Sequence, residues 1–214
     1  MKPRILVVED EFITAADIEN RLGEMGCEVA ATVDTGEAAV AKAGELAPDL
    51  VLMDITLAGR MTGIEAAGEI GRRFGTPVIF LTAHSEHSTV SGSLASNPYG
   101  YIVKPFEASG LRISIEMALY KHRMEEQLRE SERTIRCLLN AIPDPLALLD
   151  RARKVVAVND AMAWKIGKGL PDLLGAGIDD LVATGAVRVS PGEMDLLFMA
   201  GKPVHAEETV NGRW

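Results

Sequence analysis

Pro48-Asp49-Leu50-Val51-Leu52-Met53-Asp54 is the stretch on which the fold turns. Leu50 to Met53 form a short apolar run, which reads as a buried strand. The run ends in a carboxylate that has no basic neighbour in sequence. A charge at the mouth of an apolar strand is costly unless something binds it. In an open parallel α/β sheet, the carboxyl ends of the strands are where chemistry collects. The function therefore depends on which other residues reach that edge.

Working outward, Arg4 to Val8 is a β-branched apolar run that stops at Glu9-Asp10-Glu11, and it reads as the first buried strand. A helical pattern follows through Phe12, Ala15, Ile18, Leu22 and Met25, ending at the glycines 23 and 26. Glu11 falls at the start of this helix, where it favours the dipole. Cys27 to Val33 is a second strand, and Gly36 to Leu46 a second helix closed by Pro48. Past the opening stretch, Ile64 to Phe74 is a third helix and Val78 to Leu81 a fourth strand. Ser85 to Leu94 is a weaker, polar helix, and Tyr99 to Val103 a fifth strand. Strands alternating with helices mean βαβ units and right-handed crossovers, hence a doubly wound parallel sheet.

From Phe106 the pattern turns helical and continues. Leu111, Ile115, Ala118, Leu119 and His122 share a face that would cover the sheet, and 121–133 is mostly charged. Leu128, Ile135 and Ile142 keep a seven-residue spacing, with Leu138 and Leu139 beside the seam. That spacing reads as a linker that pairs in a two-stranded coiled coil, with a solvated single helix as the alternative. Pro143-Asp144-Pro145 breaks the helix. Two short strands follow, Leu146 to Leu149 and Lys154 to Val158, joined by the turn Asp150 to Arg153. Asn159 caps a short helix, Asp160 to Ile166; a helix at 194–199 and a strand at 204–210 complete an α+β pattern.

Composition bounds the reading. A net charge of −9 argues against a nucleic-acid surface. Cys27 and Cys137 lack metal spacing and read as reduced, buried thiols. The apolar run 5–8 is too short for a signal segment, and no run has membrane-spanning length, so a cytoplasmic protein is the default.

On this topology Glu9-Asp10, Asp54, Thr82 and Lys104 each fall at a strand end: the first, third, fourth and fifth. With strand order 2-1-3-4-5 these ends are neighbours. Converging carboxylates raise one another's pKa unless a cation neutralises them. Oxygen ligands with open water positions suit Mg²⁺, or Mn²⁺. Lys104 adds a charge for an anion and Thr82 a hydroxyl. Together these describe phosphoryl transfer onto Asp54.

Val-Val-Glu-Asp at 7–10, Leu-Met-Asp at 52–54, Leu-Thr-Ala at 81–83 and Tyr-Ile-Val-Lys-Pro-Phe at 101–106 resemble the receiver domain of two-component response regulators, over about residues 3–123. The resemblance implies a flavodoxin-like fold with Asp54 as phospho-acceptor. It implies that Asp10 and Asp54 bind Mg²⁺ directly, Glu9 through water, and Thr56 by its backbone carbonyl. Lys104 would pair with the phosphoryl group, Thr82 hydrogen-bond it, and Tyr101 act as an aromatic switch. Lys104-Pro105 would be cis, and the partner a sensor histidine kinase or phosphotransfer protein. The usual Met-Pro after the acceptor is missing, and Leu57 to Thr62 occupy a longer loop in which Arg60 reads as a solvated surface residue.

Residues 134–214 resemble the first part of a PAS domain, on Leu138 to Asp144, the hairpin, Val158-Asn159-Asp160-Ala161 and Leu173-Leu174-Gly175. The closing strands of that fold are missing, which implies a fragment, and His205 reads as a surface residue. The expected layout is a receiver at 1–123, a helical linker at 124–142 and a partial PAS-like domain at 143–214, forming a homodimer through the receiver face and the linker. The alternative is the N-terminal segment of a larger receiver–PAS sensor kinase. No independent enzyme activity is expected. Thr56 stands where a haloacid-dehalogenase-type phosphatase needs its second acid, and there is no Walker loop, no GxGxxG after a strand and no helix-turn-helix. The surroundings of His122 lack the kinase phospho-acceptor pattern, so it reads as a helix-surface residue.

Overall fold

Burial on both faces explains why the strands of this chain are nearly continuous apolar runs. The computed structural model describes residues 2–83, 98–177 and 180. The element order is β1 (Arg4–Val8), α1 (Phe12–Glu24), β2 (Glu28–Val33), α2 (Gly36–Leu46), β3 (Leu50–Asp54), α3 (Gly63–Phe74), β4 (Val78–Ala83), β5 (Gly100–Lys104), α4 (Ala108–Asn140), β6 (Ala147–Leu149), β7 (Val155–Val158), α5 (Asp160–Ile166) and α6 (Leu170–Leu173). The expected helix at 85–94, the helix at 194–199, the strand at 204–210 and His205 lie outside the described residues. The chain divides into two compact units, Met1–Leu128 and Arg129–Trp214.

In the first unit the sheet order is β2-β1-β3-β4-β5, as expected, and every pairing is parallel. Side chains alternate across the sheet with period two. Leu6, Val8, Val51, Met53 and Phe80 face a core closed by Ala39, Ala43, Ala66 and Ile70 of α2 and α3. Ile5, Val7, Leu50, Leu52, Ile79 and Leu81 face the other, closed by Ile18 and Leu22 of α1 and Leu111, Ile115 and Ala118 of α4. Each such aliphatic side chain contributes about 1.5–3 kcal/mol by leaving water. These layers hold every strand end in a fixed position.

Helix α3 begins one residue earlier than the apolar pattern suggests. Thr62 and Glu65 form a reciprocal capping box, with Thr62 Oγ1 accepting from Glu65 N and Glu65 Oε2 accepting from Thr62 N. That places Gly63 against the end of β3, where a Cβ would lie 1.8 Å from the carbonyl oxygen of Asp54. Only glycine lets α3 start this close to the end of β3.

The second unit is described as the β6–β7 antiparallel hairpin and two short helices around Val155, Val158, Met162 and Leu173. Asp150 Oδ1 closes the hairpin turn by accepting from Ala152 N and Lys154 N. Asn159 is fully buried and joins three segments. Its Oδ1 accepts from Leu146 N and Met162 N, and its Nδ2 donates to the carbonyls of Leu139, Ile142 and Asp144. Asn140 and Asp160 add a reciprocal pair beside it.

Two expectations need correction here. Cys137 is exposed rather than buried, because the helix around it carries no core beneath that face. Ile142 lies beyond the last helical residue, Asn140, so the helical part of the seam ends at Leu138.

Candidate functional site

Parallel pairing in register brings the sequence-expected residues to one edge. Met53 pairs with Val8 and with Phe80, so Asp54, Glu9 and Leu81-Thr82 end level with one another. Ala83 pairs with Lys104, which sets the lysine beside them. Glu9, Asp54 and Thr82 are buried, whereas Asp10 is exposed. One carboxylate oxygen from each of Glu9, Asp10 and Asp54 lies within 4.8 Å of the others. Such a set of hard oxygen donors fits Mg²⁺ in chemistry and number, leaving positions for water and for one more oxygen.

Lys104 Nζ donates to Glu9 Oε2 and to Asp54 Oδ2, both at 2.6 Å. Burial pushes the Glu9 carboxyl up to about 7, and the Asp54 charge adds to that rise while the Lys104 hydrogen bond opposes it. For Lys104, burial works downward, but hydrogen bonds and charge from Asp54 and Glu9 outweigh it and hold the ammonium above its usual range. The lysine therefore stays cationic and is the counter-charge of the cluster. Asp54 Oδ1 also accepts from Thr56 N at 3.2 Å, which turns the chain after β3 back across the site.

Thr82 directs its hydroxyl to the carbonyl of Ala83 at 2.9 Å. Tyr101 stacks on Phe80 with ring centroids 5.9 Å apart and keeps 39% exposure, and burial pushes its phenol up. The Lys104-Pro105 bond is cis, as the resemblance implies. Glu11 caps α1 without a backbone hydrogen bond from its side chain and instead accepts from the Thr14 hydroxyl.

The long loop after Asp54 is packed. Leu57 and Met61 rest on the core beneath α2 and α3. Ala58 bridges to Thr35, and Arg60 N donates to Glu37 Oε1 at 3.2 Å. Gly59, at φ 114°, passes so close to the Glu37 carboxylate that a Cβ would lie 3.1 Å from it. Glu37 is the residue that sequence reasoning missed, because its role depends on a contact 23 positions away. Arg60 is exposed, as the surface reading has it.

His122 corrects the surface reading. It is half-buried and edge-on to the Tyr99 ring at 5.6 Å, with Nδ1 3.2 Å from the Tyr99 hydroxyl. That hydroxyl also donates to Glu125 Oε2 at 2.5 Å, and Lys121 Nζ lies 5.0 Å from the ring centroid. These contacts fasten α4 to the start of β5.

The response regulator receiver domain family profile matches residues 5–116. Over 120 residues the chain is 37% identical to the transcriptional regulatory protein PdtaR of Mycobacterium tuberculosis, covering 56% of this chain and 58% of that protein. It is 34% identical over 121 residues to the phyllosphere-induced regulator PhyR of Methylorubrum extorquens, covering 56% of this chain and 45% of that one. The chain thus spans about half the length of these relatives. Among solved structures, the receiver domain of a modulated diguanylate cyclase from Desulfovibrio desulfuricans superposes with TM-score 0.56 at 38% identity, covering 58% of this chain and 99% of that one. The N-terminal domain of a response regulator/sensory box/GGDEF 3-domain protein from Carboxydothermus hydrogenoformans superposes with TM-score 0.53 at 40% identity, covering 57% and 98%. Sheet order, strand-end chemistry and a profile match over just over half of the 214 residues agree, and the chain belongs to the response regulator receiver family.

Proposed function

We propose that the chain is a phosphorylation-controlled switch in which a partner histidine kinase or phosphotransfer protein donates a phosphoryl group to Asp54. The observation that carries this reading is the convergence of Lys104 on Glu9 and Asp54, at 2.6 Å each, beside exposed Asp10. In the transfer, the donor's N–P bond breaks as an Asp54 oxygen forms the new O–P bond, and the electron pair stays on the departing imidazole nitrogen. Glu9, Asp10, Asp54 and the Thr56 carbonyl would hold Mg²⁺ or Mn²⁺. When bound, such an ion neutralises carboxylate and phosphoryl oxygen charge.

Lys104 holds a cation where the transferred oxygens arrive. Thr82 exchanges its bond to Ala83 for one to the phosphoryl group, and Tyr101 moves inward from its half-exposed stack on Phe80. The response is a population shift between two packings, with phosphate favouring one.

The receiver at 1–123 would pass this shift through a linker at 124–142 to a partial PAS-like module at 143–214, within a cytoplasmic homodimer. The β6–β7 hairpin and the Asn159-capped helix support the PAS-like reading, and the Carboxydothermus protein carries a sensory box with its response regulator domain by its description. By its description that relative carries a GGDEF domain and no kinase, so it supports the receiver–sensory-box order alone. A second reading with that same order is the N-terminal regulatory segment of a larger receiver–PAS sensor kinase. The chain is acidic, at −9, and no described helix is long and apolar enough to cross a membrane; neither nucleic acid nor membrane is proposed as a partner. To test the acceptor assignment, acetyl phosphate and Mg²⁺ should label the protein and not Asp54→Asn. Equal labelling of the variant would end it.

A further inference from the structure

Residues 56–62 connect β3 to α3, and the first turn of α2 holds this connection from the side. The chain leaves β3 with Thr56 N donating to Asp54 Oδ1. It rejoins the fold where Gly63 N donates to the Ile55 carbonyl and Thr62 caps α3. Between those ends the backbone is fastened to α2: Ala58 forms a parallel bridge with Thr35, and Arg60 N donates to Glu37 Oε1 at 3.2 Å. Two glycines allow so close an approach. A Cβ at Gly36 would lie 2.8 Å from the Met61 carbonyl oxygen, and one at Gly59 would lie 3.1 Å from Glu37 Oε2. Gly59, at φ 114°, also holds a backbone conformation that other residues rarely adopt.

Resting on the phospho-acceptor reading above, we propose that Glu37 is a positioning residue for the phosphoryl site. By anchoring Arg60 it fixes the connection whose first residue, Thr56, supplies the backbone oxygen of the Mg²⁺ set. Glu37 is exposed and is not one of the clustered carboxylates, so its effect passes through the backbone. Four residues separate Arg60 from Thr56, and the bridge at Ala58 pins their midpoint. A loose connection would have to be ordered when its oxygen takes up a metal, at a cost in conformational entropy. A connection anchored beforehand avoids that cost. By linkage the coupling is reciprocal, so a bound ion holds the Arg60 amide more firmly on Glu37.

The test measures Mg²⁺ affinity by calorimetry and amide exchange by NMR on the full chain, native and with Glu37→Ala or Glu37→Gln. Glu37→Ala should weaken Mg²⁺ binding by about threefold to fivefold, the worth of one surface hydrogen bond. It should speed exchange of the Arg60 amide in metal-free buffer and leave β1 and β3 unchanged. Glu37→Gln keeps an acceptor for Arg60 N but loses the charge that complements the α2 dipole. It should bind Mg²⁺ as the native chain does while melting slightly lower. In the native chain Mg²⁺ should slow exchange at Arg60. Unchanged Mg²⁺ affinity in Glu37→Ala despite a freed Arg60 amide would overturn the proposal. So would Glu37→Gln weakened as far as Glu37→Ala, which would assign the effect to charge alone. Acetyl phosphate labelling of Asp54 in the native chain reports separately on the phospho-acceptor reading. A native chain that labels at Asp54 while either overturning result is seen keeps that reading and loses this one; a native chain that neither labels nor binds Mg²⁺ ends both.

Discussion

The Lys104 ammonium lies 2.6 Å from Asp54 Oδ2, joining the ends of β5 and β3 across the sheet edge. The same nitrogen reaches Glu9, whose side chain is 1% exposed. Removing one member of a buried, hydrogen-bonded charge group leaves the others uncompensated. Lys104→Met should therefore lower unfolding free energy by about 3 kcal/mol in metal-free buffer. Urea titration checks this, and Mg²⁺ should restore part of the loss.

Asp10 is exposed, contributes no core packing, and shares the carboxylate cluster. A ligand that binds only the folded state stabilises it by about 2.7 kcal/mol at a hundredfold excess over its Kd. Mg²⁺ should raise the melting temperature of the native chain and leave Asp10→Asn nearly unchanged. Calorimetry in Mg²⁺ and in chelator gives the comparison.

Gly63→Ala should be damaging beyond its size. Its Cβ would fall 1.8 Å from the Asp54 carbonyl oxygen, so β3 or α3 has to move. A loss of about 3 kcal/mol is expected, with reduced acceptance of phosphate. Gly68→Ala meets nothing within 4 Å in the same helix and should stabilise by about 0.5–1 kcal/mol. Parallel thermal melts of the two variants separate backbone crowding from helix propensity.

The α3 capping box gives a pH dependence. The Thr62 backbone N–H, then its hydroxyl, hold the Glu65 carboxyl below its usual 4.5. A depressed folded value means the stabilisation is present above 4.5 and is lost as pH falls through the lower folded value. The melting difference between native chain and Glu65→Ala should be widest above about pH 5 and shrink below about pH 4.

Asn159 makes five hydrogen bonds with no exposure. Asn159→Ala leaves two N–H groups and three carbonyls without that partner, at about 1–3 kcal/mol for each group left unsatisfied. Hydrogen exchange should accelerate in β6, β7 and α5 while β1, β3 and β4 keep their protection.

The parts of this architecture that were legible in the sequence are those where one-dimensional pattern and burial coincide. The strands at 4–8, 50–54 and 78–83 are apolar because both faces are covered, and their polar ends stand out for that reason. The loop at 57–62 was not legible, since Glu37 holds it through a contact distant in sequence. The same is true of Tyr99, which meets Glu125 across 26 positions and turns His122 from a surface residue into a packed one. Cys137 misled because a small apolar residue on a helix implies a core only if another element lies above it. The capping box was present as Thr62-Gly63-Ile64-Glu65 and fixes a boundary that apolar periodicity leaves one residue late.

The central claim is that Asp54 carries the phosphoryl group. After incubation with acetyl phosphate and Mg²⁺, borohydride reduction followed by peptide mass spectrometry should find the modified residue at position 54 alone. Modification elsewhere with Asp54 unaltered, or none under conditions where Mg²⁺ binding is demonstrated, would contradict it.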